Sequence, residues 1–460
     1  MNDINEDKKE YAEFRKLAPT VLLPSLATFN RTTIQEVICP ALTSYVMTDA
    51  DVIVVGAGPA GATAAKVLAE AGNVSCLLLD KAKFPRPKVC AGGLLFHTFF
   101  AFPYVKECIE NYNYALTVFA PRLDASLALE SPDPLLAMTR GRADFDAHMV
   151  ELAKGAGVDF RSEEKVLQVE VAPDHVAVTC AGGEQFSCKL VIGADSVNSI
   201  VARGVGLFAR KAAEDMGIAM EEEFPLAGHV EEFFGPERRV YLCLHYGHLP
   251  GYGWVFPRAD SINVGIGTST NHGHELRAVL ARLVADLKTK GILPEEVELA
   301  SPKAAPLPST LPNEAIYGNR TLLAGDAASF CSPITGEGIY YAMASGAIAG
   351  RVAADAIAQN NYSASFLARY NAEWKKSVGK ELEFQYFAKR TVLASERRCG
   401  KAVEWGAADA KLRTLFSKFF LGSLDLQGLK RKMILQYLRC KVKEKLGMLK
   451  TNYTREEFSD

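Results

Sequence analysis

Apolar residues change their spacing several times along this chain, and the changes mark its elements. Asp51-Val-Ile-Val-Val55 is a β-branched run that stops at glycine, and helix-forming Ala62 to Glu70 follows at once. A second apolar run, Val74-Ser-Cys-Leu-Leu-Leu79, makes residues 50 to about 95 an opening β-α-β unit. Signals are mixed between about 100 and 139. Arg142 to Gly157 reads as a helix, and Glu164 to Cys180 and Gln185 to Gly193 are β-rich. From about 206 to 300, short strand-like pieces (Val240 to His245, Ile262 to Gly267) accompany one helix near His274 to Lys290. Strand-then-helix order returns at Thr321, and beyond about 356 the chain is helical and increasingly basic. Residues 1–49, with Pro19, Pro24 and Pro40, read as an extension of unassigned purpose.

The first strand-to-helix junction carries chemistry. Gly56, Gly58 and Gly61 stand in the order G-x-G-x-x-G, with Pro59 and Ala60 between the last two. Such glycines give a tight turn, close backbone approach to a pyrophosphate, and close packing of the helix whose N-terminus faces it. The second strand ends at Asp80, placed to accept from a ribose hydroxyl, with Lys81 next to it. The junction predicts a bound dinucleotide.

Bulk properties narrow the setting. A chain of 460 residues exceeds one typical core and should divide into two or three units. A net charge of -2 gives no general pull toward nucleic acid. The ten cysteines include no C-x-x-C pair, which speaks against zinc or a disulfide framework and for a reducing, cytoplasmic compartment. The start, Met1-Asn-Asp-Ile-Asn-Glu-Asp, is too acidic for a targeting peptide. No charge-free apolar stretch reaches the roughly 18 residues of a membrane span. The pairs His245/His248 and His272/His274 lack neighbouring ligands, so no metal is expected.

A second glycine-acid junction lies at Thr321-Leu-Leu-Ala-Gly325-Asp326, followed by Gly336-Glu337-Gly338 and a small-residue helix from Ile339 to Gly350. Asp326 could meet a ribityl hydroxyl, and the helix dipole could face the N1–C2=O edge of a flavin. Alanines, glycines and Ser345 would let that helix approach the ring. Val191-Ile-Gly-Ala-Asp195 supplies a third strand end with an acid after glycine.

Together these motifs resemble the flavoprotein group of aromatic-ring hydroxylases and geranylgeranyl reductases. Arg142-Ala-Asp-Phe145-Asp146 is similar to that group's R-x-x-F-D. The resemblance implies FAD, with Asp195 bordering the cofactor, Asp326 at its ribityl-phosphate portion and Arg142 along it. Two segments point to the reductase branch. Tyr252-Gly-Trp254-Val-Phe256-Pro257, then Gly265-Ile-Gly267, resembles Y-x-W-x-F-P…G-x-G. Strand alternation puts Tyr252, Trp254 and Phe256 on one face, able to wall a long apolar cavity. Pro85-Arg-Pro-Lys88-Val-Cys90-Ala91-Gly92-Gly93 resembles P-x-x-K-x-C-G-G-G, with Ala91 replacing the first glycine. By resemblance, Lys88 offsets charge on reduced flavin and Cys90 lies near the substrate side as a candidate catalytic residue.

The expected architecture is α/β. A Rossmann-like FAD-binding domain (50–100 with 140–205 and 301–355) joins an antiparallel-sheet substrate domain (101–139 with 206–300) and a helical region (356–460). The resemblance implies a reductase of C=C bonds in a geranylgeranyl-type group, served by NADPH, ferredoxin or flavodoxin. The alternatives are an FAD monooxygenase or halogenase acting on an aromatic, and a flavin-binding electron-transfer protein. Residues 424–450 alternate cations (Lys430, Arg431, Lys432, Arg439, Lys441, Lys443, Lys445) with apolar residues at helical spacing. That stretch is a candidate for lying on an anionic membrane surface, or equally for packing on the catalytic unit.

Overall fold

The computed structural model describes residues 48–226, 228–420 and 426–452. The extension read at 1–49 therefore lies outside them, except for its last two residues. Three strands predicted from apolar runs form the centre of an eight-stranded sheet: Ala50–Val55, Cys76–Leu79 and Gln185–Gly193. Ala50–Val55 runs parallel to both of the others, and Thr321–Leu323 and Asp159–Arg161 extend the parallel set on either side. The hairpin of Val166–Val171 and Val176–Cys180 hangs from Gln185–Gly193. The Pro59–Glu70 helix crosses from the first strand to the second, as the opening β-α-β reading requires.

A seven-stranded sheet stands beside it, ordered Lys303–Pro308, Met216–Pro225, Ser261–Ser269, Tyr252–Pro257, Val240–Leu244, Ala115–Phe119 and Ser126–Glu130. Its back is covered by the Leu276–Thr289 helix, which buries Leu276, Leu280, Leu283 and Leu287. Gly253 points to that side: a Cβ there would lie 2.3 Å from Leu283 Cδ2. The next positions along the strand therefore turn to the opposite face, toward the parallel sheet.

Two domain limits drawn from sequence need correction. Lys303–Pro308, assigned with 301–355 to the nucleotide domain, is the edge strand of the substrate sheet, paired with Met216–Pro225. Pro306 and Pro308 obscured it in the sequence, and an edge is where a strand tolerates proline. Residues 101–139, assigned whole to the substrate domain, divide. Ala115–Phe119 and Ser126–Glu130 join the seven-stranded sheet, while Leu136–Thr139 pairs with both Gly93–Leu95 and Ile109–Asn113 in a small third sheet. The helix expected from His274 begins at Leu276, because Thr270–Glu275 forms a tight turn in which His272 Nδ1 meets Glu275 Oε1 at 3.0 Å.

Candidate active site

The parallel strands deliver their carboxyl ends to one place. There Gly56, Asp80, Ala194-Asp195 and Gly325-Asp326 follow the strands ending at Val55, Leu79, Gly193 and Leu323, where open α/β sheets bind ligands. Gly56 has φ +99°, and a Cβ on it would lie 2.4 Å from Ala194 O. A Cβ on Gly61 would lie 1.8 Å from Gly56 O, so the helix and its turn are in direct backbone contact.

The acids are fixed by backbone donors. Asp80 accepts from Ala57 N–H (2.8 Å) and Ala82 N–H (2.9 Å), so it braces the glycine turn while facing the cavity. Asp195 Oδ2 accepts from Ile200 and Val201 N–H at 2.6 and 3.1 Å. Its Oδ1 is buried with no hydrogen-bond partner, and burial raises its pKa. Gly325 N–H donates to Ser345 Oγ at 3.0 Å.

This last bond corrects the reading of the small-residue helix, which runs on from Ile339 to Ala358. Ser345 anchors the Gly325 turn. A Cβ on Gly346 or Gly350 would lie 2.2 or 2.7 Å from Ala60 O or Ala64 O. The small side chains serve close contact with the Pro59–Glu70 helix, and from this helix Ile339 and Ala342 reach the cavity, with Gly336 and Gly338 just before them.

Arg142 lies in the wall, 6% exposed, with Nε and Nη2 each donating to Asp146 at 2.9 Å. Arg86, which the sequence reading did not single out, joins Asp146 at 3.2 Å and faces Asp80 at 3.8 Å. Burial opposes the charge on Arg142, and the Asp146 carboxylate outweighs it and raises the pKa. Lys81, Lys88 and Ala91 line the same cavity. The left-handed residue of the Cys90 loop is Gly92, at φ +76°, with Thr139 Oγ1 2.8 Å from its would-be Cβ. Ala91 does not occupy that conformation, so the glycine replaced there leaves the loop intact.

From this end the cavity, about 1290 Å³, continues across the inner face of the seven-stranded sheet. Strand register sets its wall. Glu221 pairs with Gly265, Gly265 with Trp254, Trp254 with Leu242, Leu242 with Val118, and Val118 with Leu127. Tyr252, Trp254 and Phe256 do share a face, with ring centroids 5.9 and 6.1 Å apart. The Trp254 indole covers Gly265, where a Cβ would lie 2.3 Å from Cζ2, and donates to Asn263 Oδ1 at 2.8 Å. Beyond the aromatics the wall is hydrocarbon, closed by Val403, Phe416, Phe419 and Met433 of the C-terminal helices. No motif signals that these helices reach the site.

Glu221 was also missed. Half-buried, it lines the cavity between Cys90 and the aromatic row, and its Oε1 accepts from Cys90 N–H at 2.7 Å. Burial pushes its pKa up to about 7, against the pull of the Cys90 N–H bond and aided by Glu223.

Residues 49–384 match the family described as FAD binding domain. Digeranylgeranylglycerophospholipid reductase 2 of Methanopyrus kandleri is 31% identical over 366 residues, covering 75% of this chain and 87% of that protein. The chain belongs to this FAD-binding family. It is an FAD-dependent oxidoreductase. A geranylgeranyl bacteriochlorophyll reductase-like protein from Thermoplasma acidophilum, 25% identical, superposes with TM-score 0.72 over 86% of this flavoprotein and 99% of that chain. A halogenase solved in complex with FAD is 16% identical with TM-score 0.61, over 87% and 92% of the two chains, and shares the fold alone.

The flavoprotein's own residues fit FAD. Gly58, whose would-be Cβ approaches only Arg86 Nη2 at 3.7 Å, leaves backbone open to the cavity at the helix start. Asp195 lines a ligand-sized space together with Asp80, Asp326 and Gly338. No helix among the described residues is long and apolar enough to cross a membrane.

Proposed function

We propose that this flavoprotein reduces C=C bonds of a polyprenyl group carried by a lipid or related isoprenoid. The observation behind the reading is continuity: a glycine-and-carboxylate end suited to FAD opens directly into a long hydrocarbon-walled space. The relatives named as digeranylgeranylglycerophospholipid reductases support it. FAD, when bound and reduced, supplies a hydride to an alkene carbon. The chain's residues do the rest. Gly56, Gly58, Pro59, Ala60 and Gly61 receive the pyrophosphate, Asp80 with Lys81 the ribose, and Asp326 with Gly325 the ribityl portion. Arg142, Lys88, Ala91, Gly92, Gly336, Gly338 and Ile339 border the ring, and Cys90 stands where ring and substrate meet. Tyr252, Trp254 and Phe256 hold the prenyl chain at contact distance and exclude water, which an unactivated alkene requires. NADPH, ferredoxin or flavodoxin supplies the electrons.

Trp254→Ala tests this assignment. Removing a buried ring costs about 1.5–3 kcal/mol of apolar contact, or about ten- to a hundredfold in kcat/KM for a long prenyl substrate. Bound FAD should be unchanged. Turnover equal to wild type by Trp254→Ala would remove the cavity assignment.

An anionic bilayer fits the outer face of the Leu426–Lys445 helix. The inner face packs through Leu429, Gln436 and Cys440, with Lys443 Nζ 2.7 Å from Asp409. Outside, Ile434, Leu435, Leu438, Val442 and Leu446 form an exposed apolar stripe, 37–68% exposed, flanked by Lys432, Arg439, Lys441 and Lys445. Met433 of the same helix lines the cavity, so a docked lipid would lie close to its route in. The full chain should float with vesicles containing anionic phospholipid, and Leu435→Glu/Leu438→Glu should stay at the bottom of the gradient. Equal flotation of both would exclude this face as the contact.

A further inference from the structure

Reduction of an isolated alkene needs a proton at the carbon opposite the one that receives hydride, and the Glu221 carboxyl lines the cavity beside the aromatic row. Glu221 comes from the Met216–Pro225 strand, in the same register row as Trp254 and on the same face. The row places it at the boundary between the FAD end of the cavity and the aromatic wall. One backbone donor fixes its orientation. Cys90 N–H donates to Oε1 at 2.7 Å, Trp254 stands in the same register row, and Trp254 Nε1–H holds Asn263 at 2.8 Å.

The charges around it are few and unevenly directed. Arg258 is bound to Glu110 at 2.8 Å and to Glu223 at 3.5 Å, so its charge is largely engaged elsewhere. Lys303, the cross-strand partner of Glu221, is an exposed residue of the edge strand. Glu223 on the same strand disfavours a second carboxylate. Cys90 meets Glu221 through its backbone N–H. Glu221 is thus a carboxyl that lines the cavity, is oriented by the Cys90 N–H donor, and has no ion-pair partner among the described salt bridges.

We propose that Glu221 is the acid that protonates the substrate alkene, a role that rests on the polyprenyl-reductase reading above. As one alkene carbon accepts hydride, the π pair forms a C–H bond at the other carbon with the proton leaving the Glu221 carboxyl. Two electrons pass from reduced cofactor to substrate, the cofactor returns oxidised, and Glu221 is left as carboxylate. Solvent then restores its proton. Burial, which holds its pKa at about 7, keeps the acid form populated at neutral pH, and that form is lost as pH rises through this value.

The test uses FAD-loaded wild type, Glu221→Gln and Glu221→Asp. Glu221→Gln should bind FAD with the wild-type spectrum and melting temperature, keep KM for a prenyl lipid, and lose about 10²–10⁴-fold in kcat. Glu221→Asp should recover part of the rate. Wild-type kcat should fall above about pH 7, and Glu221→Gln should lack that limb. Infrared difference spectra of the oxidised holoprotein, with no turnover, should show a protonated-carboxyl band that titrates in that range and is absent from Glu221→Gln. Wild-type lipid turnover with an equally fast Glu221→Gln, or with no such band, would overturn the role of Glu221 alone. A wild-type holoprotein that saturates no prenyl lipid would overturn the substrate reading and this role with it.

Discussion

Asp146→Ala lowers the free energy of unfolding by about 3–5 kcal/mol, the cost of removing one partner from a buried ion pair. Asp146 is fully buried and receives both forked donors of Arg142 as well as Arg86. Without it two guanidinium groups, Arg142 buried and Arg86 partly buried, face each other near Asp80 with no counter-charge of their own. Asp146→Asn keeps the shape but withdraws the charge, and should fall between wild type and alanine. Denaturant unfolding of all three proteins measures this. A loss below about 1 kcal/mol would mean that the pair is not the structural unit its geometry implies.

Gly61→Ala should cost the protein its FAD. The added methyl would lie 1.8 Å from Gly56 O, a backbone atom in a turn already pinned by Ala194. Relief requires the helix start to move away from the turn, which separates the N-terminal N–H groups from the loop that receives the pyrophosphate. Overpacking of this kind costs about 1–3 kcal/mol, equivalent to about 5-fold to 150-fold weaker binding. Flavin absorbance per mole of purified protein and titration of apoprotein with FAD both report it. Unchanged affinity would show that the close contact of helix and turn is not what shapes the cofactor end.

Much of the fold was legible because its signals are local. The Ala50–Val55 strand, its glycine turn and the following helix are dictated within a score of residues by β-branching, φ freedom and helix propensity. The aromatic row followed from period-two alternation, which fixes a face without any tertiary information. What escaped depends on register and on distant chain. Glu221 sits in Met220-Glu-Glu-Glu223, which reads as a solvated charge run. Only the pairing of that strand with Ser261–Ser269 and the reach of the Cys90 N–H turn its carboxyl into the cavity. Alternation within the run was the available signal, since Glu221 and Glu223 must face opposite to Glu222, whose carboxylate accepts from Ala300 and Ser301 N–H.

The same limit explains the other departures. Small residues after Gly338 are equally consistent with approach to a ring or to a helix, and the Ala60 carbonyl decides for the helix. Phe416, Phe419 and Met433 lie far along the chain from the motifs and close the cavity by tertiary packing. The cationic tail packs on the protein through Cys440 and Leu429, while Leu435 and Leu438 remain exposed, which helical spacing alone did not assign.

The most direct measurement is the mass of a prenyl lipid incubated anaerobically with the reduced, FAD-loaded protein. The account predicts a product heavier by two hydrogens for each bond saturated, formed as the bound cofactor returns to its oxidised yellow spectrum. A lipid of unchanged mass, beside a cofactor that stays reduced until oxygen is admitted, would contradict it.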